Sequence, residues 1–321
     1  MKVLITGSSG FIGTATLNRL VSAGHDVFGI DLKDPHPSTS KHQFRRVNIL
    51  DQENLKNVFV EFRPHAIIHL AAHMSLRQSV DHEHRYRANT LGTKHLIECI
   101  RNCDSVKRAI YTSTKYVYRH GEPQGPRDYL PDSHYGESKV TMEKTIWDED
   151  GGGVSWCITR PTTIWGPGMS FHYKRFLRLV EKGWYVHIGG GRFKKSMGYV
   201  GNAAMQHLKL LEADRDLVHQ KVFYMTDYEP VLLKEWVEGF GRAFEKEKFL
   251  SIPRPIAMMF CRFGDIVQRC GLKRFPFTSF RVRNLTESET CDATLTEKVC
   301  GPLEYSVEEG VDETVKWYRS L

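Results

Sequence analysis

The chain has 321 residues, 40% of them hydrophobic, with 45 Lys and Arg against 38 Asp and Glu for a formal charge of +7. That length can bury a full core in two joined domains or one large one, and the interleaving of basic with acidic residues favours a phosphate-bearing metabolite over nucleic acid. The longest apolar run, residues 256–263 with Arg262 inside it, falls short of the ~20 residues that span a bilayer, so no membrane partner is expected.

At the N-terminus the apolar run 3–5 enters a glycine turn rather than a long hydrophobic segment with a cleavage site, which predicts a cytoplasmic protein. Short β-rich runs then alternate with helical segments as far as about Tyr111. The pattern predicts strands at 2–6, 26–30, 66–70 and 108–112, and helices at 10–23, 52–62, 89–101 and 135–147. Right-handed crossovers turn such an alternation into an α/β fold with a doubly wound parallel sheet. After about Ile164, Gly/Pro-rich loops, aromatics and isolated helices at 171–182 and 232–244 take over, predicting a smaller C-terminal lobe. The expected division is a nucleotide-binding domain over residues 1–165 and a mainly substrate-binding lobe over 166–321, with some later segments returning to the first domain. The glycine triplets 151–153 and 189–191 read as turns. The seven cysteines, Cys99, Cys103, Cys157, Cys261, Cys270, Cys291 and Cys300, include no C-x-x-C pair, so reduced thiols are expected, with no metal.

The strand 2–6 runs directly into Gly7-Ser8-Ser9-Gly10-Phe11-Ile12-Gly13 and a helix. Gly7 permits a tight turn, Gly10 lets backbone approach a diphosphate, and Gly13 lets helix and strand pack closely. The helix N-terminus adds N–H groups and partial positive charge. Asp31 ends the second strand, about 20 residues beyond the glycines, where a carboxylate accepts hydrogen bonds from ribose hydroxyls and repels a 2′-phosphate. NAD is therefore favoured; Lys33 keeps NADP as an alternative, and a solvated strand-end Asp is the plainer one.

The spacing G-x-x-G-x-x-G, followed in order by His69-Leu70-Ala71-Ala72 and Asn89-Thr90-Leu91-Gly92-Thr93, resembles the extended short-chain dehydrogenase/reductase family, which includes nucleotide-sugar epimerases and dehydratases. The resemblance implies a Rossmann fold that binds NAD through Gly7, Gly10, Phe11, Ile12, Gly13, Asp31, Leu32, Asn48, Ile49, Leu70, Ala71, Ala72, Pro161 and Ile164. Asn48-Ile49 stands where the family has Asp and an aliphatic residue near the adenine. Small residues at 70–72 would suit strand packing equally well.

Tyr135-Gly136-Glu137-Ser138-Lys139 puts Tyr135 and Lys139 on one helix face. A phenol with a pKa near ~10 is a poor base at neutral pH, so Lys139 is expected to favour its ionised form. Upstream, Tyr111-Thr112-Ser113-Thr114 followed by Val117-Tyr118 is similar to the family's hydroxyl-bearing strand end, making Thr114 the matching hydroxyl, or Ser113 if the alignment shifts by one. By this resemblance Tyr135 removes a sugar hydroxyl proton while the adjacent carbon gives a hydride to the nicotinamide, Thr114 steadies the oxygen, and Tyr135 and Lys139 also contact the cofactor. Asn89 either holds a water or backbone group near the lysine or caps its helix.

Arg160-Pro161-Thr162-Thr163-Ile164-Trp165-Gly166-Pro167 resembles the family's Arg-Pro-x-x-Val-Tyr-Gly-Pro segment, which leads from its last strand to the sugar site. Residues 189–200 look like a divergent Gly-Asp-Gly-x-x-x-Arg-Asp-Phe-x-Tyr-Val, with Lys195 where the diphosphate-binding arginine sits and without that residue's bidentate fork. Thr114, Thr163, Lys195 and Arg281 are the substrate-binding candidates; Arg192, Lys194 and Arg283 offer further charge. Lys115-Tyr116 occupies the place of the Asp-Glu pair of 4,6-dehydratases. A C4 epimerase of a nucleotide-diphosphate sugar is the leading expectation, with a sugar-nucleotide dehydrogenase, reductase or dehydratase as alternatives. A noncatalytic NAD-sensing protein is a further one, against which Thr114, Tyr135 and Lys139 together argue. The resemblance also implies a homodimer through the helices of Asn89 and Tyr135.

Overall fold

The computed structural model describes residues 1–74, 82–119, 121, 123–246, 248–259, 282 and 286–321. The chain divides into two compact units. Met1–Ile164, Gly198–Thr226 and Asp292–Glu304 form one, and Trp165–Met197, Asp227–Cys291 and Tyr305–Leu321 form the other.

In the first unit β1 (Lys2–Thr6), β2 (Asp26–Asp31), β3 (Gln43–Arg46), β4 (Ala66–His69), β5 (Arg108–Thr112), β6 (Ser155–Pro161) and β11 (Lys221–Met225) form one sheet in the order β11-β6-β5-β4-β1-β2-β3. Every adjacent pair is parallel. The helices between them are α1 (Phe11–Ser22), α2 (Gln52–Phe62), α3 (His82–Arg85), α4 (Arg87–Arg101), α5 (His134–Asp148), α7 (Val200–Glu212) and α8 (Arg215–Val218), with α10 (Thr294–Cys300) added near the C-terminus. Strands covered on both faces must be apolar on both. Leu4, Ile67 and Ala109 accordingly meet Leu55, Leu96, Ile97 and Met142 of α2, α4 and α5 on one face. On the other face Val3, Ile5, Ile68 and Ile110 meet Leu17 and Leu20 of α1 and Met205, Leu208 and Leu211 of α7.

The strand order reverses at β1, whose neighbours are β2 and β4. In an open parallel sheet the ligand crevice lies outside the carboxyl ends of the strands at such a switch point. The loops after β1, β4 and β5 and the end of β2 converge at that edge.

The predicted strands at 2–6 and 108–112 stand as β1 and β5; β2 runs on to Asp31, and β4 stops at His69. The sheet does not end at the strand before Pro161, because β11 adds outside β6.

The second unit contains α6 (Phe171–Glu181), β8 (Val186–Ile188), β9 (Lys194–Lys195), β12 (Val231–Leu232), α9 (Leu233–Ala243), β13 (Leu250–Ile252) and α11 (Val307–Arg319). β8 pairs with β13 and β9 with β12. Aromatic rings fill its interior: Phe176 stacks on Trp236 at 5.1 Å, and Trp165 and Phe240 meet Trp236 edge-on at 5.5 and 5.0 Å. The short strands β7 (Thr163–Trp165) and β10 (Met197–Tyr199) lie where the chain passes between units.

Candidate active site

β1 delivers Gly7 in a left-handed conformation, φ +73°, with its N–H donating to Ile30 O at 2.8 Å. A Cβ at Gly7 would lie 2.6 Å from Ala71 N, and one at Gly13 only 2.1 Å from Gly7 O. The turn is therefore closed to any side chain at those positions. Gly10 caps α1 without a side-chain hydrogen bond, and the first turn, carrying Phe11 and Ile12, holds no acidic residue. The positive end of the helix is left uncompensated by the protein.

Asp31 faces this turn: its Oδ2 accepts from Ser9 N at 3.1 Å and its Oδ1 from Lys33 N at 3.0 Å. Each oxygen keeps a lone pair for a hydroxyl donor. A bare helix N-terminus, a turn with no room for a Cβ and a pinned carboxylate at the switch point fit a dinucleotide with free ribose hydroxyls.

The remaining predicted cofactor residues line the same edge or brace it. Leu70 N donates to Thr6 O at 3.0 Å and Ala71 N to Thr6 Oγ1 at 3.1 Å, while Ala72 is exposed. Asn48 Oδ1 accepts from Leu50 N at 3.0 Å, and buried Ile49 packs where a Cβ on Gly92 would come within 2.6 Å of it. Leu32 is 61% exposed; Pro161 and Ile164 are buried.

The catalytic candidates sit on α5 and at the end of β5. Ser133 caps α5, accepting from Gly136 N at 3.2 Å. Tyr135, 6% exposed, bonds to Thr114, which follows β5; burial raises the phenol above its ordinary value, and the Thr114 bond pulls the other way. Ser113 Oγ is buried with no partner among the described residues, so Thr114 is the hydroxyl that meets Tyr135. The Tyr116 ring stands edge-on to Tyr135 at 6.4 Å, with the Arg119 guanidinium 4.6 Å above it.

Lys139 departs from the expected pairing with Tyr135. It is 2% exposed, and its Nζ donates to Thr112 O at 2.8 Å and Met142 Sδ at 3.2 Å. Burial lowers its ammonium to about 7, with the Glu143 carboxylate opposing that fall. The physical reason for the departure is that a desolvated ammonium needs an acceptor, and the Thr112 carbonyl at the strand end supplies it.

Asn89 lies inside α4, whose cap is Tyr86, so the capping role is set aside. Its Oδ1 accepts from His73 N at 2.8 Å, and its Nδ2 donates to His73 O at 3.2 Å and Ser138 Oγ at 2.9 Å. It thus ties the loop after β4 to α5 between Tyr135 and Lys139.

Two groups carried no role in the sequence reading. His69 bridges Thr6 Oγ1 at 2.7 Å and Thr93 Oγ1 at 3.1 Å; burial, then Lys139, lowers it to about 3, so it is neutral. Glu143 pairs with Arg160 inside the same unit; its place one turn beyond Lys139 was the available signal.

Of the substrate candidates, Thr163 is half-buried on β7, and Lys195, buried in the second unit, pairs with Glu289 at 3.2 Å. Arg192 and Lys194 are exposed. Arg281 and Arg283 lie outside the described residues. Among the described residues there is no His, Cys, Asp and Glu cluster of three suited to a metal, no helix long and apolar enough to cross a membrane, and five free cysteines.

A doubly wound sheet with a glycine cradle at its switch point and a Tyr-x-x-x-Lys helix beside it defines a nicotinamide-nucleotide enzyme of the Rossmann class. A model of the NAD dependent epimerase/dehydratase family matches residues 3–225, and the chain belongs to that family, with NAD as its cofactor. The N-acetyl-alpha-D-glucosaminyl-diphospho-ditrans,octacis-undecaprenol 4-epimerase of Escherichia coli O157:H7 is 25% identical over 332 residues, 98% of this chain and 95% of the relative. Protein CapI of Staphylococcus aureus is 31% identical over 290 residues, 77% of this chain and 84% of the relative. The UDP-glucose 4-epimerase of Thermus thermophilus, solved in complex with NAD, is 22% identical with a TM-score of 0.75 over 99% of each chain, a likeness of fold.

Proposed function

We propose that this chain is an NAD-dependent C4 epimerase of a diphosphate-linked sugar, in the first place a nucleotide sugar. The observation that carries the reading is the buried Tyr135 hydroxyl bonded to Thr114 at the sheet edge that bears the glycine cradle, with Lys139 on the same helix face. The 4-epimerase relative, matched along nearly its whole length, supports the position on the sugar.

Gly7, Gly10, Phe11, Ile12 and Gly13 would hold the diphosphate of NAD, Asp31 its adenosine ribose, and Leu70 to Ala72, Pro161 and Ile164 the walls around it. When bound, NAD supplies a ring that takes up a hydride and returns it. The chain's own part is proton work and orientation. Tyr135 takes the proton of the C4 hydroxyl and gives it back, and Thr114 fixes the oxygen by hydrogen bond. Burial makes the neutral phenol the resting form, and the ammonium of Lys139, one helical turn along the same face, is held on Thr112 O. Tyr116 and Lys115 stand where an elimination would need a carboxylate pair, which favours epimerisation over dehydration. Thr163, Lys195 and Arg281 remain the proposed substrate-binding residues, Lys195 offering a point charge to a phosphate.

A cytoplasmic location and a homodimer through α4 and α5 belong to the same reading. Arg87, Lys94, Glu98, Arg101, Glu137, Thr141, Lys144 and Asp148 are the exposed side chains there, all but one of them charged, so such an interface would weaken as salt rises.

The test is incubation with NAD and a panel of UDP-hexoses, with a polyprenyl-diphosphate sugar as a separate arm, read by proton NMR and mass spectrometry. The expected product has unchanged mass and an inverted C4 coupling pattern. Loss of water or a stoichiometric build-up of NADH would replace the reading with a dehydratase or a dehydrogenase. Tyr135→Phe should bind NAD within about twofold of wild type yet lose on the order of 10² to 10⁴ in kcat; undiminished turnover in that variant rejects the assignment.

A further inference from the structure

Tyr135, Lys139 and Glu143 follow one another at four-residue intervals on α5 and therefore share one face. Glu143 is fully buried and Arg160 is 1% exposed. Arg160 Nε donates to Oε1 of Glu143 at 3.0 Å and its Nη2 to Oε2 at 2.7 Å, a bidentate fork. The same guanidinium donates to Pro126 O at 2.7 Å and reaches Tyr224 Oη at 3.4 Å.

Arg160 follows Thr159 on β6. Thr159 Oγ1 donates to Thr112 Oγ1 at 3.2 Å, and Thr159 O accepts from Ser113 N at 2.7 Å. Thr112 O accepts in turn from Lys139 Nζ at 2.8 Å. These bonds close a ring from α5 to β6 through Glu143 and Arg160, from β6 to the end of β5 through Thr159, and from β5 back to α5 through Lys139. Thr114 and Tyr135 stand at its edge.

Stability alone does not account for two charges at this depth, because an apolar pair of similar volume is often as stable or more so. What the pair faces supplies a reason. Lys139 meets Glu143 from its own helix, neutral His69 from β4 and the Thr112 carbonyl from β5, while Arg160 from β6 is held on Glu143. The carboxylate in that set is Glu143.

We propose that Glu143 and Arg160 form the positioning pair of the active-site helix: they hold Lys139 against the Thr112 carbonyl and fix a negative charge one helical turn from its ammonium, which keeps it protonated. The catalytic consequence rests on the function proposed above; the effect on Lys139 does not. Burial alone would carry the ammonium further below about 7, and Glu143 is what opposes it.

The experiment follows the Lys139 side chain by NMR of protein labelled at lysine Cε and Nζ, its signal assigned by its loss in Lys139→Arg, alongside kcat and KM against pH. Glu143→Gln keeps the shape and one hydrogen bond while removing the charge. The expected result is a Lys139 titration midpoint lower by one pH unit or more, kcat down tenfold or more at pH 7.5, KM changed less than threefold, and partial recovery in Glu143→Asp. Glu143→Gln leaves Arg160 buried without a counter-charge, so the double variant Glu143→Met with Arg160→Met keeps the test alive if the single one does not fold; the same downward shift is expected there. A folded variant with an unmoved midpoint overturns the proposal and makes the pair a packing element. If wild type turns over no sugar, the NMR titration still decides, so the two readings fail separately.

Discussion

The nucleotide cradle and the tyrosine–lysine helix lie at one edge of one sheet, yet they are made of different material. The cradle is backbone: a left-handed Gly7, a bare α1 N-terminus and contacts that leave no room for a Cβ at Gly7 or Gly13. The helix site is buried side chains whose partners are distant in the chain, Asn89 with Ser138 across 49 residues, Lys139 with Thr112 across 27 and Arg160 with Glu143 across 17. A backbone site tolerates exchange of its neighbours but not an added methyl group. A side-chain site accepts new Cβ atoms and suffers instead when one partner leaves another buried and unpaired.

Gly13→Ala breaks the cradle directly. A methyl group 2.1 Å from Gly7 O must push α1 from β1, and NAD affinity should fall a hundredfold or more, about 2.7 kcal/mol, by titration calorimetry. Binding within threefold of wild type would mean that the diphosphate does not rest on this turn. Asn89→Leu breaks the other kind of site. It removes the partner of His73 N and His73 O and one of the two bonds of Ser138 Oγ, which keeps its bond to Tyr135 O, so about 1–3 kcal/mol of stability should be lost in urea unfolding. NAD affinity should stay within threefold while kcat drops about tenfold, a loss near 1.4 kcal/mol. A fall in NAD affinity as large as that in kcat would erase the distinction between the two regions.

The same contrast explains what could be read before the fold was known. Gly7, Gly10, Gly13 and Asp31 announce themselves because their reasons are local: a turn, a helix start and a strand end. Tyr135 and Lys139 are legible as neighbours on a helix, but not the direction of Lys139, whose donors go to Thr112 and Met142 because a desolvated ammonium needs acceptors. His69 becomes meaningful only once β4 lies beside β1 and α4, with Thr6 and Thr93 on either side. α7 went unread because Val200, Asn202 to Leu208, Leu210 and Leu211 are all buried, and a helix covered on nearly every side shows no apolar stripe. β3, with the sequence QFRR, is a polar edge strand without alternation. The choice between Ser113 and Thr114 needed coordinates, since both follow β5 and differ in which hydroxyl meets Tyr135.

The cradle also leans on one distant side chain, and pH exposes it. Thr16 Oγ1 on α1 meets His207 Nδ1 on α7 at 3.0 Å, and burial lowers His207 to about 3. An unfolded histidine titrates near ~6.5. Between that value and about 3 the unfolded chain binds a proton that folded His207 refuses, so stability falls as pH falls through the window, by about 1.4 kcal/mol per unit. His69, lowered to about 3 beside Lys139, adds a slope of the same sign from the helix site. His207→Gln removes one of the two. Urea unfolding at pH 7, 6 and 5 should give a loss of about 1 kcal/mol at pH 7 and a slope shallower by as much as ~1.4 kcal/mol per unit on the acid side. An unchanged slope would mean that His207 accepts its proton in the folded protein, with α1 able to part from α7 at little cost, and the cradle would then be as local as its glycines suggest.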